Sequence, residues 1–362
     1  MLGFALGVLA GSGLLAAVPW LGSRRSTAVG VIGAVAGIIL FAGWMLAAWS
    51  RCGFAAIDLG FPIPANNVRS ALFLLPILVL GLAAALFSPA YLAAHGRVRA
   101  GSYWLFFNLL LGAMLCIPLA QDVIAFLCAW EVMGVASFAL VAYDFSDPAV
   151  KRAAWHYLLA CQAGAMLLVF LFAATGEELI AGSWGLVFLF ALPGFGLKIG
   201  FPPLYGWLPE AHPAAPAPVS ALMSGAMLNL GFYGLLTFGC VMPEYRTVYG
   251  WALLTLGLSG GLLGIIFALG QRNLKRLLPY SGIENMGLIA VGMGLGFLGD
   301  GIMAALGWSG AILHLLNHAV LKGGLFLGAG AVANALHGEL DIDRMGGLMK
   351  KMPWTGTVFS LN

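Results

Sequence analysis

The most informative shortage in this sequence is charge. Only 9% of its 362 residues are Asp, Glu, Lys or Arg, whereas 61% are hydrophobic. A soluble domain carries roughly 25% charged residues, so this composition argues against a soluble enzyme and predicts a polytopic membrane protein. The net charge of +3 is small and dispersed, which argues against a nucleic-acid-binding surface.

Cofactor motifs are also missing from the sequence. The five cysteines lie far apart, mostly inside apolar runs, and none forms a CxxC pair. Neither an iron–sulfur cluster nor a zinc site is therefore predicted from them. We expect no cofactor in this chain, and we expect the cysteines to serve as small buried apolar side chains.

Long apolar runs fill most of the chain. A hydrocarbon core of about 30 Å takes roughly 20 helical residues, and eleven runs of about that length occur between polar or Pro/Gly breaks. They cover 2–20, 28–49, 70–92, 102–120, 123–143, 153–174, 185–203, 216–240, 248–269, 277–298 and 302–335. The first run has no basic residue before its apolar core, and Arg24 and Arg25 follow it, which favours a retained span over a signal peptide. The sequence predicts an all-α fold of about 11 transmembrane helices, with "PWTGTVFSLN" as a truncated twelfth.

The basic residues between the runs predict the orientation. If the loops alternate between the two sides, the odd-numbered loops hold twelve Lys and Arg residues and the even-numbered loops three. The twelve are Arg24, Arg25, Arg97, Arg99, Lys151, Arg152, Arg272, Lys275, Arg276, Arg344, Lys350 and Lys351, and the three are Arg51, Arg69 and Arg246. Because cytoplasmic loops are enriched in Lys and Arg, the odd loops are predicted to be cytoplasmic and the N-terminus external.

Four strongly ionisable side chains fall inside the predicted spans: Glu131, Lys198, Glu284 and Lys322. A charge at the bilayer centre costs about 3 to 17 kcal/mol, so such residues mark ion or proton pathways. Two acids and two lysines could pair, or could exchange protons and be neutral part of the time. For Glu284 a salt bridge near the helix end with Lys275 or Arg276 is an alternative.

His314, His318 and Lys322 are spaced four residues apart and form one stripe on a helix. A neutral imidazole donates a proton from one nitrogen while it accepts at the other, so the stripe resembles a proton wire. Two alternatives stay open. An i, i+4 pair of histidines also suits zinc, although no third ligand is evident, and polar residues can simply hold helices together.

Pro202 and Pro203 follow Lys198 by four and five residues, within an apolar run. Proline frees backbone carbonyls, which a span tolerates where they line a cavity or meet water. Discontinuous helices of this kind recur in transporters. We expect the break to admit water that solvates the ammonium group, the alternative being an ordinary proline kink with an incidental lysine.

Five motifs carry a family resemblance. They are "FLCAWEVMGVASFALV", "LKIGFPPLYGWLPEAHPAAPAPVSALM", "QRNLKRLLPYSGIENMGLIAVGMG", "HLLNHAVLKGGLFLGAGAV" and "DIDRMGGLMKKMPWT". In this order they resemble the antiporter-like, proton-translocating membrane subunits of respiratory NADH:quinone oxidoreductase, Mrp-type cation/proton antiporters and energy-converting hydrogenases. The resemblance runs from about residue 100 to the end, and it is greatest to hydrogenase-4 component B and its formate hydrogenlyase counterpart.

The resemblance implies two inverted five-helix repeats, each with one broken helix, after an N-terminal group of spans. In this chain the N-terminal helices would occupy 1–100 and the first repeat 101–240, with its broken helix near 185–212. An incomplete second repeat would occupy 241–362. The implied location is a prokaryotic inner membrane, with other membrane subunits and a peripheral redox arm as partners.

The resemblance also implies residue roles. Glu131 matches the glutamate of the first half-channel, and Lys198 matches the broken-helix lysine paired with it. His314, His318 and Lys322 match the central polar axis of the second half.

Two departures from the family pattern are visible. Many relatives carry a lysine or histidine in the span after the broken helix, whereas this chain has Ser224 and Asn229 there, which do not titrate. The chain also ends before the second broken helix, so we expect it to be a fragment or an incomplete gene product.

Three functions follow as hypotheses. The first is a proton-conducting, non-redox subunit of a membrane-bound hydrogenase or formate hydrogenlyase complex. The second is a subunit of a Mrp-type sodium/proton antiporter or of NADH:quinone oxidoreductase, although only Asp122 and Ser137 could supply further oxygen ligands for sodium near Glu131. The third is a membrane scaffold that anchors a peripheral arm and conducts nothing.

Overall fold

The computed structural model of this chain describes residues 1–52, 68–96, 99–174, 184–240 and 245–361. Within these ranges the chain is helical and has no β-strand. The helices are α1 Leu2–Ala16, α2 Ser23–Cys52, α3 Val68–Ala94, α4 Ala100–Cys116, α5 Val123–Val141, α6 Pro148–Ala174, α7 Trp184–Ile199, α8 Leu208–Ala214, α9 Ala217–Leu222, α10 Leu228–Cys240, α11 Arg246–Leu269, α12 Leu274–Leu298, α13 Gly301–Ala335, α14 Leu348–Lys351 and α15 Pro353–Leu361.

Each predicted span corresponds to a helix in the described ranges. A π-helical turn at Met223–Met227 joins α9 to α10, and the three form one continuous span, Ala217–Cys240. Nine helices of the described parts are long and apolar enough to cross a membrane. The predicted fold class is therefore confirmed, and the last predicted segment forms the nine-residue helix α15.

Two of the predicted spans form helices that are too short to cross a membrane. α1 has 15 residues and α7 has 16. Because a helix rises about 1.5 Å per residue, neither crosses a hydrocarbon core of about 30 Å by itself. For α7 the chain continues past a break into α8, so the two helices together extend further than α7 alone.

The span Ala217–Cys240 lies at the centre of the bundle. In its apolar window 94% of the residues are buried, against 28% in α6 and in α11. On one side it packs on α7, where a Cβ at Gly231 would lie 3.0 Å from the carbonyl oxygen of Phe195. On the other side it packs on α13, where a Cβ at Gly225 would lie 2.7 Å from the carbonyl oxygen of Ala319. The central span therefore separates the helix of Lys198 from the helix of Lys322.

Glycines allow α11 and α12 to touch backbone to backbone. A Cβ at Gly287 would lie 2.4 Å from the amide nitrogen of Gly261 and 2.5 Å from the carbonyl oxygen of Gly257. Close approach through small residues is the usual way in which membrane helices associate. It fixes the position of α12, the helix that carries Glu284.

Candidate functional site

The helix that carries Lys198 ends one residue later, at Ile199. Gly200 takes a φ of +84° there, a left-handed conformation that favours glycine. Because the chain leaves the helix, the last carbonyls of α7 lose their intrahelical donors. The indole Nε1 of Trp207 donates to the carbonyl oxygen of Leu197 at 2.8 Å and replaces one of them.

The Lys198 ammonium is buried, at 4% exposure. Its Nζ lies 3.4 Å from the Sγ of Cys161 and 5.7 and 5.6 Å from the ring centroids of Trp130 and Tyr157. Aromatic faces and the negative end of a helix dipole both attract a cation. These contacts stabilise the ammonium without a carboxylate, since the ion pairs among the described residues do not include Lys198.

Space for water beside Lys198 is much smaller than we expected from the prolines. The cavity next to the ammonium, between α5, α6 and α7, has a volume of about 10 Å³, which is room for about one water molecule. Two large side chains that follow the break are buried, Trp207 at 4% and Leu208 at 1% exposure. The cavity beside the ammonium is therefore small, and hydration of the break at Pro202 and Pro203 stays a prediction.

Glu131 does not contact Lys198 directly, although both residues contact α6. It is half-buried on α5 and accepts a hydrogen bond from Nε2 of Gln162 at 3.1 Å. Gln162 follows Cys161, the residue against which Lys198 packs. Two adjacent positions of α6 thus contact the two charged groups, and no Glu131–Lys198 ion pair forms in this part of the structure.

The second group of ionisable residues lies between α12 and α13. The Nζ of Lys322 donates to the Oγ of Ser281 at 2.8 Å and to the carbonyl oxygen of Leu278 at 3.2 Å. One turn earlier on α13, His318 is 2% exposed, and neither of its ring nitrogens has a hydrogen-bond partner among the described residues. The predicted stripe of His314, His318 and Lys322 therefore contacts α12 through Lys322.

An amide joins the remaining two members of this group. Nε2 of His314 lies 3.0 Å from Oδ1 of Asn285, and Nδ2 of Asn285 donates to Oε2 of Glu284 at 3.2 Å. Glu284 lies well inside α12, and the ion pairs of the described ranges do not join it to Lys275 or Arg276. The alternative of a helix-end salt bridge is therefore not what the structure shows.

Between the two groups, the central span contributes Ser224 and Asn229 from its π-helical turn and the residues after it. Both are buried at 1% exposure, and Nδ2 of Asn229 donates to the carbonyl oxygen of Gly225 at 2.9 Å. The Oγ of Ser224 and the Oδ1 of Asn229 have no hydrogen-bond partner within the described chain. π-helical turns occur frequently at functional sites. Here the turn and the residues just after it contribute two polar, non-titrating side chains to the region between the groups.

Two further hydroxyls lie beside Lys198. The Oη of Tyr157 lies 2.6 Å from the Oγ of Ser137 and 3.6 Å from the Sδ of Met227, a residue of the π-helical turn. Tyr157 therefore links the surroundings of Lys198 to the central span. Tyr157, Gln162 and Asn285 were not predicted from the sequence, because neither a tyrosine nor an amide stands out in an apolar helix.

Buried basic residues are more numerous than the sequence analysis predicted. Arg69 and Lys275 were assigned to loops, but both lie inside helix ends at 3% and 6% exposure. His212 of α8 is fully buried, and its ring stacks on Phe326 with centroids 4.9 Å apart. Arg97, also used to predict orientation, lies outside the described residues, as does the side chain of Arg51.

The cysteines also differ from expectation. Cys128 is exposed, and Cys116, Cys161 and Cys240 are half-buried; the side chain of Cys52 lies outside the described part. For the zinc alternative, the described ranges contain no cluster of three or more His, Cys, Asp or Glu side chains. The nearest polar partner of His314 is the amide of Asn285, which also accounts for its orientation.

Fold and site together define a class: a polytopic α-helical membrane protein with two groups of buried ionisable side chains, separated by a central helix with a π-helical turn. Residues 120–362 match the family described as "NADH:quinone oxidoreductase/Mrp antiporter, TM". The match covers more than half of the chain, so this protein belongs to that family.

Similar proteins agree with this assignment. The chain is 35% identical over 306 residues to hydrogenase-4 component B of Escherichia coli, covering 79% of this chain and 45% of the relative. It is 34% identical over 276 residues to formate hydrogenlyase subunit 3 of the same organism, covering 72% and 44%. The chain thus spans about half the length of these curated relatives.

A solved structure shares the fold. A chain of the membrane-bound sulfane sulfur reductase, an archaeal respiratory membrane complex, superimposes with a TM-score of 0.79 at 24% identity. The superposition covers 98% of this chain and 76% of the other.

Proposed function

We propose that this chain is a proton-conducting, non-redox membrane subunit of a membrane-bound hydrogenase or formate hydrogenlyase-type complex, and that it couples electron transfer elsewhere to proton translocation. The observation that carries the proposal is the burial of Lys198 and Lys322, at 4% and 3% exposure, in apolar helices. Buried amines are costly in a membrane, so the positions where they occur mark ion or proton pathways. Membership of the family and the similarity to hydrogenase-4 component B support the same function.

In this proposal protons move through two groups of residues. Glu131 and Lys198 form the first group, with the 2.6 Å Tyr157–Ser137 hydroxyl pair beside them. The second group consists of His314, His318, Lys322 and Glu284. Transfer between the groups would use Ser224, Asn229 and water, since the polar atoms of these two side chains offer hydrogen bonds although neither side chain titrates.

Coupling would come from the variable distance between Glu131 and Lys198. They belong to different helices, and both contact adjacent residues of α6. A small shift of α6 would bring the carboxylate nearer to the ammonium or further from it. The charge of one group changes the proton affinity of the other, so such a shift would load or unload Lys198.

The assembly around the chain belongs to the same proposal. Other membrane subunits and a peripheral arm with the redox centres would be its partners, in a prokaryotic inner membrane. The odd-numbered loops would face the cytoplasm and the N-terminus would be external. The inverted-repeat division at residues 101–240 and 241–362 is likewise proposed, on the resemblance alone.

A second candidate function is a scaffold that conducts nothing. Ser224 and Asn229 favour it, because neither can carry a charge between the groups. The two functions predict opposite outcomes for variants that remove the titrating groups.

The test is proton pumping by the assembled complex in membrane vesicles. Lys198→Ala and Glu131→Gln should each abolish turnover-coupled acidification, whereas Lys350→Ala, at an exposed lysine, should leave it unchanged. Unchanged pumping with both site variants would contradict conduction and support the scaffold. Pumping that requires sodium would support the Mrp-type alternative instead.

A further inference from the structure

Backbone N–H donors are scarce at the end of α8 and in the segment after it. Residues 213, 216 and 218 are prolines, and proline has no N–H to donate. In a regular helix the amides of 216 and 218 would bond the carbonyls of 212 and 214. The carbonyls of 212 and 214 therefore lose these donors. The carbonyls of 213 and 215 also lack helical donors, because α8 ends at Ala214 and residue 215 is extended. The last carbonyls of α8, the second part of the broken helix, thus need side chains as donors.

Side chains from two places supply them. The Oγ of Ser220 donates to the carbonyl oxygen of His212 at 2.9 Å. The Nζ of Lys275, from the start of α12, donates to the carbonyl oxygens of Ala215 at 2.9 Å and Pro213 at 3.5 Å. A cation is favourable at a helix C-terminus because the dipole is negative there. Lys275 therefore caps α8 from another helix, which explains why it is buried at 6% exposure.

The same face of α12 also holds Lys322. Lys275, Leu278 and Ser281 are spaced three apart, so they follow one another along one side of the helix. Lys275 binds α8, whereas Leu278 and Ser281 accept the two hydrogen bonds of Lys322. About two turns of α12 thus contact both the broken helix and the second buried lysine.

The start of α12 is held firmly. The amide of Leu274 donates to the carbonyl oxygen of Leu340 at 2.9 Å, and the amide of Ile342 donates to the carbonyl oxygen of Arg272 at 2.8 Å. Arg272 also forms an ion pair with Asp343 at 3.5 Å. Because the N-terminal end of α12 is anchored, a change in the hydrogen bonds of Lys322 would act on the two turns of α12 that contact α8.

We propose that Lys275 is a positioning residue that ties α8 to α12, so that the broken helix and the Lys322 contacts respond to each other. The meaning of this link for transport rests on the proposed function, but its existence does not. Under that function, loss of the proton from Lys322 would loosen its bonds to α12, and Lys275 would transmit the change to the half of the broken helix that follows Lys198.

Hydrogen exchange of the full chain in nanodiscs tests the link without any transport assay. Lys275→Gln removes the ammonium and should raise exchange of amides in residues 208–220 by roughly tenfold, as expected for losing a hydrogen bond to a charged group. Lys275→Arg should restore most of the protection. Arg276→Gln is the matched control, because Arg276 is the exposed neighbour on the same turn.

A double-variant comparison separates positioning from simple stabilisation. Lys322→Gln should raise exchange in residues 208–220 when Lys275 is present and should add nothing when residue 275 is already glutamine. No effect of Lys275→Gln, or fully additive effects in the double variant, would overturn the proposal. If Lys275→Gln does not fold, Ser281→Ala with Lys275 intact serves instead, and unchanged exchange in 208–220 would overturn the link.

Failure of the link and failure of the proposed function are distinguishable. Pumping lost in Lys198→Ala but normal exchange in Lys275→Gln would retain conduction and reject the link. Increased exchange in Lys275→Gln together with unchanged pumping in Lys198→Ala would retain the link and reject conduction.

Discussion

Replacing Gly287 by alanine tests whether α11 and α12 meet as closely as the structure places them. The new Cβ would lie 2.4 Å from the amide nitrogen of Gly261 and 2.5 Å from the carbonyl oxygen of Gly257. Ordinary contacts begin at 3.4 Å, so the two backbones would have to separate by about 1 Å. Overpacking of this kind costs about 1–3 kcal/mol, which exceeds the gain of up to about 1 kcal/mol that alanine brings to a helix interior.

The assay is thermal unfolding of the purified chain in detergent. Gly310→Ala is the matched control, because Gly310 lies inside α13, is exposed, and has no heavy atom within 4 Å of its added Cβ in the described structure. We expect Gly287→Ala to lower the melting temperature and Gly310→Ala to leave it unchanged or raise it. Equal melting temperatures for the two variants would refute the backbone contact between α11 and α12.

Three further predictions concern hydrogen bonds. Ser281→Ala removes one of the two acceptors of the Lys322 ammonium and should lower the free energy of unfolding by about 1.5–3 kcal/mol, measured by denaturant titration. Tyr157→Phe keeps the ring 5.6 Å from Lys198 but loses the hydroxyl, so the same titration should show a smaller loss, about 0.5–1.5 kcal/mol. Glu339 lies outside the spans, and the backbone amide two residues on, together with a neighbouring guanidinium, holds its pKa below the usual value. Its contribution is present above the ordinary pKa and is lost as the pH falls through the lowered one. The protection factors of the amides in residues 339–344, which are corrected for the slower intrinsic exchange at low pH, should therefore fall on acidification.

Each of these has a control. Ser309→Ala removes an exposed hydroxyl that bonds only backbone of its own helix, so a loss as large as that of Ser281→Ala would contradict the first prediction. Tyr205→Phe is the control for Tyr157→Phe. Equal losses of unfolding free energy in the two variants would argue against the buried Tyr157–Ser137 hydroxyl pair. Glu339→Gln should remove the pH dependence, and an unaltered pH profile in that variant would assign it to another group.

The spans and the charged side chains inside them could be read from the sequence. Hydropathy is a local property, so eleven apolar runs sufficed to locate the helices, and four ionisable residues stood out within them. The stripe of His314, His318 and Lys322 followed from helical spacing in the same way. The family assignment followed from short motifs, whose residues lie next to one another in the chain.

Contacts between helices could not be read in this way. Lys275 was assigned to a loop because it lies in the polar stretch 271–276 between two apolar runs, yet the carbonyls at the end of α8 take its ammonium as a donor. Glu131 and Lys198 were expected to pair because they are the acid and the base of one predicted half-channel, yet α6 presents Gln162 to one and Cys161 to the other. The break after Lys198 was expected to leave carbonyls free, and only the structure shows that the indole of Trp207 bonds one of them.

The sequence by itself determined that this protein lies in a membrane as a bundle of helices, and which of its residues resist burial in lipid. Burial in lipid depends only on the length and polarity of each segment. The tertiary structure alone decided which partner each buried charge has. A desolvated ammonium binds a carbonyl or hydroxyl that the neighbouring helices bring within about 3 Å, or an aromatic face within about 6 Å. For Lys198 the partners are a thiol and two aromatic rings, for Lys275 the end of a broken helix, and for Lys322 a serine and a carbonyl of α12.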